Sequence, residues 1–412
     1  MIKSENKELK LVEKAAREFS KKILAPGREE NDAFPFGPFF NDVLDKAYAL
    51  DLFHIQLPEH LGGMGHGIRV FCTIMDQICQ EDSSLGGIIF TNALAQSVML
   101  ASGSEALLKS IAEQSQAVPD FLVAFSSLAN PNDISDLPTA QSLDGGYFVS
   151  GALNYLVLGG IAKQAVVPAR ISPGAPYSYF LVDLNGGDVI RSEPVMSHGL
   201  HACPAVDATF SSAKGILLGI PGKGDSYFKK GFETLQLVAA AMSAGVMKGS
   251  LQEAIAYCNK RVQGGRKLKD WSTMQMMLAD MTIQTYVADM LIARACQAVE
   301  NRENDWQIMV QAASLHIQAA ATHLVSDGIQ ALGGVGYMKD FGQEKRFRDA
   351  GQIQALLGHA HLKKLRFIRQ FLHIGKGAGE AADLKPVIEV NVKEGGKRLT
   401  EGLLQAATLQ AK

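Results

Sequence analysis

The stretch DGIQALGGVGYMKDFGQEKRFRDA, from Asp327 to Ala350, decides how this 412-residue chain is read. It lies in a region, from about Phe228 to Ile374, that has no proline and is rich in Ala, Leu and Met at helical spacing. Such a region reads as a helical bundle, and Gly333 and Gly334 stand in a turn within it. Towards the N-terminus the texture changes. Between about Asp120 and Asp225, runs such as YFVSG, AVVPARI, YFLVDL and VDATF alternate with Gly, Pro, Asn and Asp, the pattern of antiparallel strands and turns. The preceding residues read as helices: Leu9, Val12, Ala15, Ala16 and Phe19 recur at helical spacing, and Pro26 closes that helix. PEHLGGMGHG, from Pro58 to Gly67, is a turn-rich break.

Strands confined to the middle of the chain imply an α+β protein rather than alternating βαβ units. The expected organisation is an N-terminal helical domain (1–119), a middle antiparallel β-domain (120–225), a C-terminal four-helix bundle (226–375) and a tail (376–412) opening on a GKGAGEAA linker.

Composition excludes several function classes. Hydrophobic residues make up 47% and charged residues 20%, ordinary for a protein with a sizeable core. A formal net charge of −2 gives no global attraction to nucleic acid or anionic membrane. No run approaches the roughly 20 apolar residues of a membrane span. The polar start MIKSENKELK lacks the apolar core of a secretory signal. Five cysteines without a CxxC pair read as reduced thiols, so a cytoplasmic location is expected. GIPGKGDS at Gly219 has glycine where a phosphate loop needs Ser or Thr, and GKGAG at Gly375 has the wrong spacing. His359 and His361 form an HxH pair without an evident third metal ligand.

Five motifs in order carry a resemblance. ILAPGREEND (Ile23 to Asp32), PEHLGGMG, GSEALL, LADM (Leu278 to Met281) and the quoted C-terminal stretch resemble the acyl-CoA dehydrogenases across about residues 8 to 373. That resemblance implies FAD at a dimer interface, an acyl-CoA substrate and electron-transfer flavoprotein as acceptor. It also implies a glutamate eight residues beyond the aspartate of RDA, where this chain has Leu357. In some members the base lies instead on a central helix, at the position of Leu235; that too is apolar, and its neighbour, often an arginine, is Gln236. The reaction removes an α-proton as a β-hydride leaves, so a residue unable to accept a proton removes the base.

The implied flavin contacts divide into two halves. For the neighbouring subunit's FAD, Arg261 stands at the pyrophosphate arginine, and Gln330, Gly333 and Gly334 stand in the QxLGG turn; Gly264 and Ser272 replace a phenylalanine and a glutamine. For the subunit's own ring, the TEPxxGSD loop becomes SSLANPND, keeping Ser126. The GxKxWIT strand becomes GALNYLV, with Asn154 read at the aromatic and Val157 at the threonine that bonds flavin N5. Glu233, His359 and His361 are the replacement bases to consider, and His198 and His201 read as structural.

The expectation is a non-catalytic subunit that completes the FAD site of an acyl-CoA dehydrogenase paralogue in a heteromeric complex, its own flavin site degenerate. Alternatives are a self-sufficient flavoenzyme of the same fold (a monooxygenase, or a dehydrogenase with a displaced base) and a non-enzymatic scaffold.

Overall fold

A computed structural model describes residues 2–33, 41–128 and 130–372; the expected tail lies outside them. One compact unit spans Met1–Ile368, and of a second, beginning at Arg369, only the end of a helix is described. The N-terminal part is helical: α1 (Ile2–Phe19), α2 (Arg28–Asn31), α3 (Asn41–Ala49), α4 (Ile68–Cys79), α5 (Ser83–Ala101), α6 (Glu105–Gln114) and α7 (Val118–Phe121). As its pattern predicts, α1 gives way before Pro26 to a wider turn at Ser20–Leu24. Asp82 caps α5 by accepting the Ser84 N–H at 2.8 Å. By length and composition α5 is apolar enough to cross a membrane, which the sequence reading did not allow for. Because 83% of its most apolar window is buried, it reads as a core helix.

The middle part comprises β1 (Val123–Phe125), β2 (Thr139–Leu143), β3 (Gly146–Val157), β4 (Gln164–Ala169), β5 (Ser178–Asp183), β6 (Val189–Arg191) and β7 (Ala205–Leu218). Their order is β2-β3-β1-β4-β5-β7-β6, and a further β3–β7 pairing closes the sheet on itself. The pairing is antiparallel except that β1 runs parallel to β4, with Ala124 opposite Ala165. The hairpin β2–β3 lies between those two strands in sequence, which provides the long connection a parallel pair requires.

The C-terminal part holds α8 (Gly224–Lys260), a hairpin of β8 (Val262–Gln263) and β9 (Arg266–Lys267), then α9 (Ser272–Glu300), α10 (Trp306–Leu332), α11 (Gln343–Ala355) and α12 (Ala360–Leu372). Helix α8 is the axis, packed against α4, α5, α9, α10 and α11. Residues Leu235 to Met247 are buried without a break and are apolar apart from Gln236 and Ser243.

The stretch that decides the fold also locks it. On α11, Lys345 is buried between Asp82 (3.2 Å) and Asp349 (2.6 Å), and Asp349 accepts the Leu200 N–H at 2.8 Å. Arg346 donates to Glu253 (2.8 Å) and to the Gln80 carbonyl (3.0 Å). Arg348 pairs with Glu344 and Asp32, and His201 shares that Asp32. Burial alone would strip the Lys345 proton, but Asp349 and Asp82 reverse this and hold the ammonium charged. One helix thereby ties the N-terminal helices, the β-sheet and the bundle together.

Lys345→Met leaves two buried carboxylates facing each other without a cation. It is expected to lower unfolding free energy by about 3–5 kcal/mol in urea denaturation; a loss below about 1 kcal/mol would place the cluster at the level of a surface ion pair.

Candidate flavin and acyl-CoA site

The positions that would carry a base are sealed and apolar. Leu235, on α8, is fully buried, and Leu357, just past α11, is 1% exposed. Beside Leu235, Gln236 is held through its carbonyl, which accepts from Ser314 Oγ at 2.8 Å; its buried side-chain Nε2 has no partner. Glu233 is half-buried on the same helix, and burial raises its carboxyl above the usual range, against a smaller lowering by Lys229. His359 and His361 are exposed and stacked on each other, ring centres 5.2 Å apart. The His359 N–H donates to Asn130 Oδ1 at 2.8 Å. His201 is structural, as expected, through Asp32.

The half that would reach a neighbouring subunit's cofactor lies on the surface. Arg261 follows the last turn of α8 and is exposed, as are Gln330 in the last turn of α10 and Gly333 and Gly334 just after it. Gly333 has φ +65°, and a Cβ built on Gly333 or Gly334 meets nothing within 4 Å. A phosphate can therefore approach this backbone closely, and Arg261 is a cation suited to two phosphates. These residues fit the pyrophosphate of FAD. At Gly264 (φ +64°) the missing side chain leaves room for Trp271, whose ring atom lies 2.8 Å from an ideal Cβ and carries Arg266 stacked 3.6 Å above it.

The own-ring half requires a correction. Counted along GALNYLV, the fifth residue is Tyr155, not Asn154, so an aromatic stands where the resemblance puts the wall of the flavin ring. Tyr155 has φ +56°, at a register break in β3 between Leu153 and Leu156. Its N–H donates to Asp207 (2.9 Å), its carbonyl accepts from Ser126 Oγ (3.0 Å) and its hydroxyl accepts from Gln352 Nε2 (2.7 Å). A non-glycine residue held in that conformation costs about 1–3 kcal/mol and persists only when its surroundings fix it. Ser127 Oγ is shielded from solvent without a partner. Val157 offers no hydroxyl. The segment thus holds an aromatic, Tyr155, with Ser126 spent on its carbonyl, and has no hydroxyl at Val157.

Lys363 had no sequence signal beyond helical position. It is 8% exposed on α12, and its Nζ donates to Gln318 Oε1 (2.9 Å) and the Gln354 carbonyl (2.8 Å). Burial pushes it down to about 8 from 10.5. The unfolded chain then binds more protons between those values, so this group makes stability rise with pH from about 8 to about 10.5, by up to about 1.4 kcal/mol per unit. Denaturation of the wild type and Lys363→Met across that interval should show the gain in the wild type alone; parallel curves would contradict it.

Comparison with known proteins identifies the family. The acyl-CoA dehydrogenase N-terminal domain model matches residues 6–114 and the C-terminal domain model residues 222–370, together more than half of the chain. The caffeyl-CoA reductase-Etf complex subunit CarC of Acetobacterium woodii is 27% identical, over 86% of this chain and 96% of that protein. An acyl-CoA dehydrogenase of Bacillus subtilis is 26% identical, over 86% and 95%. Butyryl-CoA dehydrogenase from Megasphaera elsdenii superposes with a TM-score of 0.80 at 21% identity, covering 88% of this chain and 98% of the other, which speaks to the fold alone. By fold and by both domain models, the chain belongs to the acyl-CoA dehydrogenase family.

Proposed function

We propose that this chain is a non-catalytic subunit of a heteromeric acyl-CoA dehydrogenase, lending Arg261 and the Gln330–Gly334 turn to the FAD of a catalytic paralogue. The observation that carries this is the contrast between the two halves: Leu235 and Leu357 are apolar and sealed, whereas Arg261, Gln330, Gly333 and Gly334 are exposed. FAD bound in the complex supplies the acceptor for the β-hydride of an acyl-CoA. This chain contributes binding rather than proton transfer, since neither leucine can accept the α-proton. Electron-transfer flavoprotein is the proposed acceptor, a reading supported by CarC, whose name places it in a complex with Etf.

Tyr155 favours a second reading, in which the chain holds a flavin of its own. A strained aromatic fixed by Asp207, Ser126 and Gln352 is costly to keep at a relic site. Absorbance of the isolated chain separates the two. A stoichiometric flavin surviving gel filtration supports the second reading.

Under the first reading, the complex with the paralogue holds about one flavin per heterodimer, and Arg261→Ala weakens flavin retention without touching chemistry. Flavin titration of the wild-type and mutant complexes should show lower affinity in the mutant, with turnover restored by excess FAD. Equal affinity would remove the cross-interface role.

A further inference from the structure

Helices α4 and α9 pack against each other, and two sets of charged side chains fix their register. At one end Arg69 of α4 clasps Glu300 of α9, its Nε 3.2 Å from one carboxylate oxygen and its Nη2 2.7 Å from the other. At the other end Lys248 of α8 bridges Asp76 of α4 (2.8 Å) and Asp289 of α9 (2.6 Å). Residue numbers rise along α4 as they fall along α9, so the two helices run antiparallel. Between these rungs stand Cys72, one turn beyond Arg69, and Cys296, one turn before Glu300. Both cysteines are free and buried, at 2% and 1% exposure, and their thiols are hydrogen-bonded to each other. Neither the flavin residues nor the Lys345 cluster uses this pair.

We infer that Cys72 and Cys296 are a peroxide-modifiable pair, which closes to a disulfide stapling α4 to α9 when the Arg69–Glu300 bridge opens. A buried crossing admits only a small oxidant, so hydrogen peroxide is the one that fits. Cys72 reacts first: its sulfur attacks one peroxide oxygen, the O–O bond breaks and hydroxide leaves, giving a sulfenic acid. The Cys296 sulfur then displaces that oxygen as water, and the S–S bond forms. Two thiols lose two electrons and two protons, and one peroxide becomes two waters. Burial, and then the adjoining Cys296 thiol, hold the Cys72 thiol protonated well above the usual range; Arg69 opposes them by attracting the thiolate. Oxidation therefore waits on local opening. The side chains of Arg69 and Glu300, 35% and 37% exposed, form the rung between the pair and solvent.

No flavin or acyl-CoA contact enters this inference, so it stands or falls apart from the proposed function. The full-length chain, reduced and desalted, is treated with hydrogen peroxide, and its peptides are mapped without reduction. The expected product is a peptide pair linked through Cys72 and Cys296, about 2 Da lighter than the two reduced peptides and separated again by dithiothreitol. Cys296→Ala should instead accumulate Cys72 sulfenic acid, trapped by dimedone. The urea midpoint of the linked chain should shift upward, since the bond closes the residues between the two cysteines into one long loop. Glu300→Gln should oxidise roughly two- to fivefold faster, the change that a part-exposed ion pair brings to a local opening. Cys72 and Cys296 left reduced, a link to a different cysteine, an unchanged midpoint in the linked chain, or equal oxidation rates in Glu300→Gln would each overturn the inference.

Discussion

Everything in this molecule is referred to Lys345. Its ammonium is buried between Asp82, the cap of α5, and Asp349, which also receives the Leu200 amide from the β-domain. A buried cation is tolerated only when its charge is matched and its protons are spent. Here Asp82 and Asp349 match the charge, and the Leu200 amide on Asp349 brings in a third part of the chain, so the helix just before Leu357 has one allowed seat. The neighbouring Arg346 and Arg348 repeat the arrangement with Glu253 and Asp32. The family's most recognisable stretch is therefore a clamp, and a clamp can outlast the chemistry beside it.

That separation explains how a chain can keep the scaffold and lose the base. Leucine at 357 leaves the clamp untouched because the two lie on different turns, and burying leucine is favourable where burying an unpaired carboxylate would not be. Leu235 meets the same condition at the centre of α8. The exposed residues follow another logic. Among the described residues the Arg261 side chain makes no hydrogen bond or ion pair, and a Cβ on Gly333 or Gly334 would meet nothing within 4 Å, so the fold itself gives little reason to hold a cation and an open turn there.

Much of the fold was legible in the sequence because it is written in periodicity. The proline-free, Ala-, Leu- and Met-rich stretches predicted a helical bundle, and the alternating runs predicted β3, β4, β5 and β7. The parallel β1–β4 pair was not legible, since it depends on where a three-residue strand lands. Within the site, Leu357, Leu235 and Arg261 were read from motif position. Tyr155 was missed by one residue in the count, although GALNYLV contains a single aromatic. The spacing of Lys345 and Asp349, four apart on a helix, was a visible signal for an ion pair. Nothing local marks Lys363 as buried, because its partners Gln318 and Gln354 come from helices that meet only in the folded chain.

The central claim is that this chain contributes no base to acyl-CoA oxidation. The direct measurement is anaerobic bleaching of the complex's flavin by acyl-CoA when the paralogue's own catalytic glutamate has been replaced by glutamine and this chain is left intact. The account predicts that rapid bleaching is abolished while FAD stays bound, because neither Leu235 nor Leu357 can take the α-proton. Bleaching at the wild-type rate would show that this chain supplies a base after all.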